Sequence, residues 1–343
     1  AMALAPIILP SNQFDHFYRG GNRIGVLRNG PGGPMRPEEW IAATTTRFGE
    51  KEMGLSLLPD GEFLRDAINA APEQWLGKEH VAAFGTSTEI LVKLLDPDQR
   101  LPVHFHPNKA FAKKHLALNH GKTEAWIILD APENAKVGLG FAAQMKKDDV
   151  YSMVQAKNSA ALLASLNMVN VKPGDAILVP AGTAHAIDAG IFVLELQEPT
   201  DLSALLEWEG FAVDGLKDGH LGLGFDVVLD SLNYAPLHKD EISTLVKSSH
   251  FTGGEIRSLF TNKADGYFRA EVIPGNGATI DPSFGILLVL EGEGVLTTEN
   301  AGAIAVGHGD ALVIPFDAGR WSVQGASGIL SRPPLPSLAA LAP

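Results

Sequence analysis

Gly174-Asp175-Ala176-Ile177-Leu178-Val179-Pro180 returns as Gly309-Asp310-Ala311-Leu312-Val313-Ile314-Pro315, a spacing of 135 from position 174 to position 309. A Gly-Asp turn, four apolar residues and a proline describe a short buried strand. Its recurrence at this distance describes two related β domains. The copies then diverge: the first continues Ala181-Gly182-Thr183-Ala184-His185, the second Phe316-Asp317-Ala318-Gly319-Arg320, with arginine where histidine stood. The second half also has no His-X-His ahead of its Leu290–Gly294 turn. It is expected to be a metal-free structural partner of the first.

Upstream of the first copy lies Pro102-Val103-His104-Phe105-His106-Pro107. Histidines at i and i+2 of an extended strand share a face, where two imidazoles can converge on one ion. The run from Lys122 to Leu129 reads as a second strand, with Lys122, Glu124 and Trp126 alternating onto one face. Ile90 to Leu95, interrupted only by Lys93, reads as a buried strand. Helices are expected over Gly61–Ala70 and Pro72–Phe84, Ala110–Leu118 and Ala142–Met168, with Leu64, Ile68, Trp75 and Val81 turned inward. After residues 215–250 the chain is almost wholly β in pattern, in short strands at Tyr267–Ile273, Gly285–Leu290, Gly294–Thr298, Ala303–Val306, Ala311–Ile314 and Trp321–Gln324. The expected class is mostly β, with a metal-binding domain over 1–235 carrying helical insertions and a second domain over 236–343.

Composition narrows the chemistry. The 343 residues are 45% hydrophobic, enough for sizeable cores, and contain no cysteine. Disulfides and thiolate metal sites are excluded, and a bound metal must use imidazole, carboxylate, carbonyl or water. A formal charge of −13 argues against nucleic acid and anionic membrane as partners. No apolar run approaches the roughly 18 residues of a spanning helix, so a soluble cytoplasmic protein is expected. Its oligomeric state is not legible.

The pattern Gly174-x5-Pro180-x-Gly182-x2-His185 resembles the second motif of the cupin superfamily, and His104, His106 and Glu124 resemble the first. Eighteen positions separate His106 from Glu124, more than in a simple cupin. Leu91–Asp96, His106-Pro107-Asn108-Lys109, Gly121–Trp126 and Val171–Ile187 are similar to the matching stretches of the type I mannose-6-phosphate isomerases, and the chain resembles a divergent member of that family. The resemblance implies two cupin-type β-barrels (jelly rolls). It also implies a zinc ion held by His104, His106, Glu124 and His185, with His104 in the place of a family glutamine. A three-His-one-Glu set also suits Mn2+, Fe2+, Co2+ or Ni2+.

The activity implied is aldose-ketose isomerisation of mannose 6-phosphate or a related sugar through an enediol. Lys122, on the face of Glu124 and matching a family lysine, is a catalytic candidate; so is Glu198, which closes the strand after His185. Trp40, Lys109 and Asp201 are candidates for binding substrate, and Trp126 for core packing. His115 and His120 are expected at the surface. The family's active-site arginine falls near Leu205, in a segment without positive charge. An unphosphorylated sugar such as mannose or lyxose is therefore the alternative substrate, and Arg19, Arg23 and Lys109 are the cations to inspect for phosphate. A three-His-one-Glu dioxygenase and a silent sugar-binding protein are the remaining alternatives.

Overall fold

The computed structural model describes residues 4–340 and 342–343. Its strands form three antiparallel sheets. The six-stranded sheet runs in the order Val246–Ser248, Asp175–Val179, Glu124–Asp130, Phe192–Gln197, Leu91–Leu95, Glu38–Ile41. The five-stranded sheet runs Ala204–Leu205, His104–Phe105, His185–Ile187, Lys136–Phe141, Leu166–Asn170. Eight further strands build the sheet of the C-terminal half around two long ones, Gly285–Thr298 and Trp321–Arg332. The mostly β class expected from the sequence is the class observed, as antiparallel sheets.

Each smaller sheet has one face for the site and one for a core. Ala125, Ile127, Leu194 and Leu196 of the six-stranded sheet share a core with Ile286, Leu288, Val313 and Ile329 of the C-terminal half. Phe105 and Ala186 of the five-stranded sheet, with Ala184 just before the strand His185–Ile187, pack instead against Val150, Val154 and Leu162 of the helices Lys147–Gln155 and Ser159–Ala164. Burying each large apolar side chain contributes about 1.5–3 kcal/mol, which ties both sheets to their supports. The opposite faces carry the polar residues. In the six-stranded sheet Trp40, Lys93, Glu195 and Trp126 lie directly opposite one another across four adjacent strands and so point to one side.

The Gly-Asp repeat is a repeat of turn geometry. Gly174 and Gly309 have φ of 95° and 85°, and a Cβ at either would stand 2.2 Å from the Ser249 carbonyl oxygen or 1.8 Å from that of Leu27. The following aspartates act alike: Asp175 Oδ2 accepts from the Lys172 N–H at 2.9 Å, and Asp310 Oδ2 from the Gly307 N–H at 2.8 Å. Only glycine combines this φ with so close an approach.

Several elements differ from expectation. Leu166–Asn170 is an edge strand on Lys136–Phe141, where a helix was expected through Met168. The leucine spacing is spent within Ser159–Ala164, and an apolar rhythm over so few residues does not discriminate helix from strand. The strands expected at Gly285–Leu290 and Gly294–Thr298 are one strand, kept continuous by register shifts near Gly292, whose φ is 81°. Asn276–Ile280 is an additional strand. Pairing also crosses residue 235 in both directions: Ile7–Ile8 joins the C-terminal sheet through Ala311–Ile314, and Val246–Ser248 joins the six-stranded sheet through Asp175–Val179. Among the described residues no helix is long and apolar enough to cross a membrane.

Candidate metal centre and cleft

One ligand atom from each of His104, His106, Glu124 and His185 lies within 4.8 Å of all the others. His104 and His185 are a cross-strand pair of the five-stranded sheet, and Glu124 opens a central strand of the six-stranded sheet. His106 lies just past the two-residue strand His104–Phe105, shorter than the sequence implied. The imidazoles are fixed the same way. Nδ1 of His104 meets the Pro102 carbonyl at 2.6 Å, that of His106 the Leu202 carbonyl at 2.7 Å, and that of His185 the Thr183 carbonyl at 2.8 Å. A carbonyl only accepts, so each Nδ1 carries the hydrogen and each Nε2 presents a bare lone pair.

Two of those lone pairs face a carboxylate oxygen: Glu124 Oε1 is 2.5 Å from His106 Nε2 and 3.0 Å from His185 Nε2. Glu124 Oε1 and His185 Nε2 are buried without a hydrogen-bond partner. Acceptors this close repel unless a cation sits among them, and the donor set of three imidazoles and one carboxylate fits a divalent metal. The site also disfavours protons as the cation. Burial, then the neighbouring imidazoles His185 and His106, hold His104 well below the usual histidine range. Burial and the charge of Lys122 push His106 down to about 3. Burial alone would raise Glu124, but His106 and Lys122 outweigh it and hold the carboxyl low.

His104, Glu124 and His185 border a cleft of about 730 Å³. Lys122 lines it, 6% exposed, with Nζ 3.5 Å from His106 Nε2 and its ammonium form disfavoured chiefly by burial. Glu195, also lining it, accepts from the Trp126 Nε1–H at 3.2 Å. Lys93 Nζ sits 4.3 Å above the Trp40 ring, 3.6 Å from Glu38 Oε1 and 3.8 Å from Asp201 Oδ1. Tyr18 and Trp40 donate to Glu38 at 2.5 and 2.9 Å. Burial would raise the Glu38 carboxyl, yet His16, Lys93 and these donors hold it well below the carboxylate range.

The sequence candidates divide between two places. Lys122 and Asp201 line the cleft, the latter pinned by the Phe48 N–H at 2.9 Å. Trp126 is fully buried yet also borders it, whereas Trp40 lies one layer behind, under Lys93. Glu198 and Lys109 line a separate cavity of about 330 Å³ with His120 and Tyr267. The reason is strand alternation: Glu195 and Gln197 share a face, and Glu198 follows on the other side of the strand end. Of the cations considered for phosphate, Arg23 is engaged by Asp96, Asp130 and the Gly190 carbonyl, and neither it, Arg19 nor Lys109 borders the cleft. Arg47 and Lys217 do. Sequence reasoning gave no role to Glu38, Lys93 and Glu195. Their signal was present as charged residues inside otherwise apolar strands, a placement that buried sheets tolerate only with partners.

No protein-family model matches the chain. Over 290 residues it is 28% identical to the mannose-6-phosphate isomerase ManA of Bacillus subtilis, covering 81% of this chain and 85% of that protein. It is also 28% identical to the mannose-6-phosphate isomerase of Streptococcus mutans, over 81% and 84% of the respective chains. In structure, the mannose 6-phosphate isomerase crystal structure from Bacillus subtilis matches with a TM-score of 0.73, 22% identity, and coverage of 96% of this chain and 100% of that one. A mannose 6-phosphate isomerase structure bound with zinc and yttrium matches with a TM-score of 0.70 and 17% identity, over 96% and 100% of the two chains, a likeness of fold. The chain is thus similar to mannose-6-phosphate isomerases across four-fifths of its sequence and shares their fold across nearly all of its length.

Proposed function

We propose that the protein is a metal-dependent aldose-ketose isomerase acting on mannose 6-phosphate or a related sugar in the cytoplasm. The observation that carries the reading is the convergence of three bare Nε2 atoms and Glu124 Oε1 at a sugar-sized cleft that also holds Lys122, Lys93 and Glu195. His104, His106, Glu124 and His185 would hold zinc, which when bound supplies a Lewis acid for orienting hydroxyls and polarising a carbonyl. Isomerisation moves a proton between C1 and C2 through an enediol, which needs a carboxylate or amine able to hold that proton beside the sugar. Glu195 takes this role in our reading, since it borders the cleft and Glu198 does not. Lys122, whose ammonium is disfavoured by burial, serves the sugar oxygens. Lys93, Glu38 and Asp201 form a braced ionic wall that orients the hydroxyls.

A second reading, an unphosphorylated sugar such as mannose or lyxose, is favoured by Leu205, which borders the cleft opposite His104 in the strand ladder. Arg47 and Lys217 remain the cations available there to a phosphate. Interconversion of mannose 6-phosphate with fructose 6-phosphate, and of mannose and lyxose with their ketoses, should be followed before and after chelation and after zinc is restored. Activity on either class that chelation abolishes and zinc restores supports the isomerase. Activity indifferent to chelator, or absent with every sugar, overturns it.

A further inference from the structure

We propose that Glu198 is a positioning residue: its carboxylate replaces a missing strand carbonyl and holds the backbone on which Lys122 and Glu124 enter the cleft. The ladder between Glu124–Asp130 and Phe192–Gln197 ends at the pair of Gln197 with Glu124. Lys122 lies two residues earlier, beyond that ladder, and must still project along the face of Glu124. Glu198 supplies the next rung from both sides of Thr123. Its own N–H donates to the Thr123 carbonyl at 3.0 Å, and its Oε2 accepts from the Thr123 N–H at 2.7 Å.

Neighbouring bonds complete the clamp. The Lys122 N–H donates to the Pro107 carbonyl at 3.0 Å, the Thr200 hydroxyl to the Gly121 carbonyl at 2.8 Å, and the Ala181 N–H to Thr123 Oγ1 at 3.3 Å. The last bond reaches the loop that leads into His185. The 2.7 Å bond from the Thr123 N–H to Oε2 is the shortest member of the set. Glu198 is 3% exposed and its other oxygen, Oε1, has no hydrogen-bond partner; the nearest cation is Lys109 Nζ at 3.8 Å. The side chain borders the second cavity, away from the cleft and the four ligands. Holding Thr123 is the contribution its geometry allows.

The kinetic consequence rests on the isomerase reading; the effect on metal retention does not. Wild type, Glu198→Gln, Glu198→Ala and Glu198→Asp would be loaded with zinc, titrated with chelator, and assayed with the sugar the wild type converts. Glutamine keeps an acceptor at the Oε2 position, alanine removes it, and aspartate withdraws it by one methylene while keeping the charge. Alanine and aspartate are expected to weaken zinc retention about 10- to 100-fold, the range for partners that orient metal ligands. Their kcat should fall by more than their KM rises, and glutamine should restore both readings most of the way. Glutamine as impaired as alanine would show that the charge itself is needed and overturn the proposal. So would alanine and aspartate retaining zinc like the wild type. Should alanine fail to fold, aspartate against glutamine decides. A wild type inactive on every sugar would sink the isomerase reading while the zinc titration still judged Glu198.

Discussion

Three histidines that each give Nδ1–H to a backbone carbonyl have their remaining nitrogen chosen for them, and here His106 and His185 bring it to one carboxylate oxygen, with a ligand atom of His104 within 4.8 Å of both. Replacing Glu124 by Ala should therefore abolish stoichiometric zinc binding, read by metal analysis after dialysis, because the charged ligand is lost. Lys122 is a separate case. Lys122→Met is expected to lower kcat by about 10²- to 10⁴-fold, the usual worth of a positioned acid or base, with zinc content unchanged; loss of zinc in that variant would place Lys122 with the metal ligands instead. Away from the centre, burial pushes His80 down, while its Nε2 stays bonded to the Ser87 carbonyl at 2.6 Å. The unfolded chain takes up that proton near pH 6.5 and the folded chain does so only at lower pH, so stability present above about 6.5 is lost as pH falls. Urea unfolding with chelator present should show this loss between about pH 7.5 and 5.5, by at most about 1.4 kcal/mol per pH unit for this group, and His80→Gln should make the slope shallower by His80's share, leaving that of the other buried histidines.

At the scale of elements, the Gly-Asp turns deliver the strand that borders Glu124 in one half and its counterpart in the other. Gly174→Ala and Gly309→Ala should each destabilise the protein by about 1–3 kcal/mol, since both combine an unfavourable φ with a carbonyl in the way. Parallel urea melts of the two variants test this; a neutral effect at either would mean that the turn relaxes without cost. Strand order brings Lys93, Glu195 and Trp126 into one row, and that row explains why Glu195, rather than Glu198, borders the cleft. The alternation was legible in Leu194-Glu195-Leu196-Gln197. Which of its two faces looked onto the site depended on the register with Glu124 and Lys93, a long-range property that one residue of slip would invert.

Across the whole molecule, the two halves are fastened by exchanged strands and by Arg28. Its Nε donates to Glu39 Oε2 at 2.6 Å, while the other guanidinium nitrogens reach the Gly309 carbonyl at 2.7 Å and the Leu9 carbonyl at 3.0 Å. Both charged side chains are almost fully buried. Removing one member of such a pair leaves the other charged and dry, so Arg28→Ala should cost about 3–5 kcal/mol in equilibrium unfolding. Far-ultraviolet circular dichroism against urea would measure it, and a change below about 1 kcal/mol would show that Glu39 finds another partner.

By itself the sequence supplied the mostly β pattern, the helical insertion and the His104–His106 pair, because these depend on local pattern: alternation, turn glycines and the i, i+2 spacing; Glu124 and His185 joined that pair through the family resemblance. It also identified Lys122 through its phase with Glu124. Only the tertiary structure decided that Ile7–Ile8 and Val246–Ser248 are exchanged between the halves, that Glu38, Lys93 and Glu195 wall the cleft, and that Glu198 and Lys109 face a different cavity. Each of these outcomes turns on which strand lies beside which, and in what register. Backbone pairing carries that choice over many tens of residues, and no window of sequence contains it.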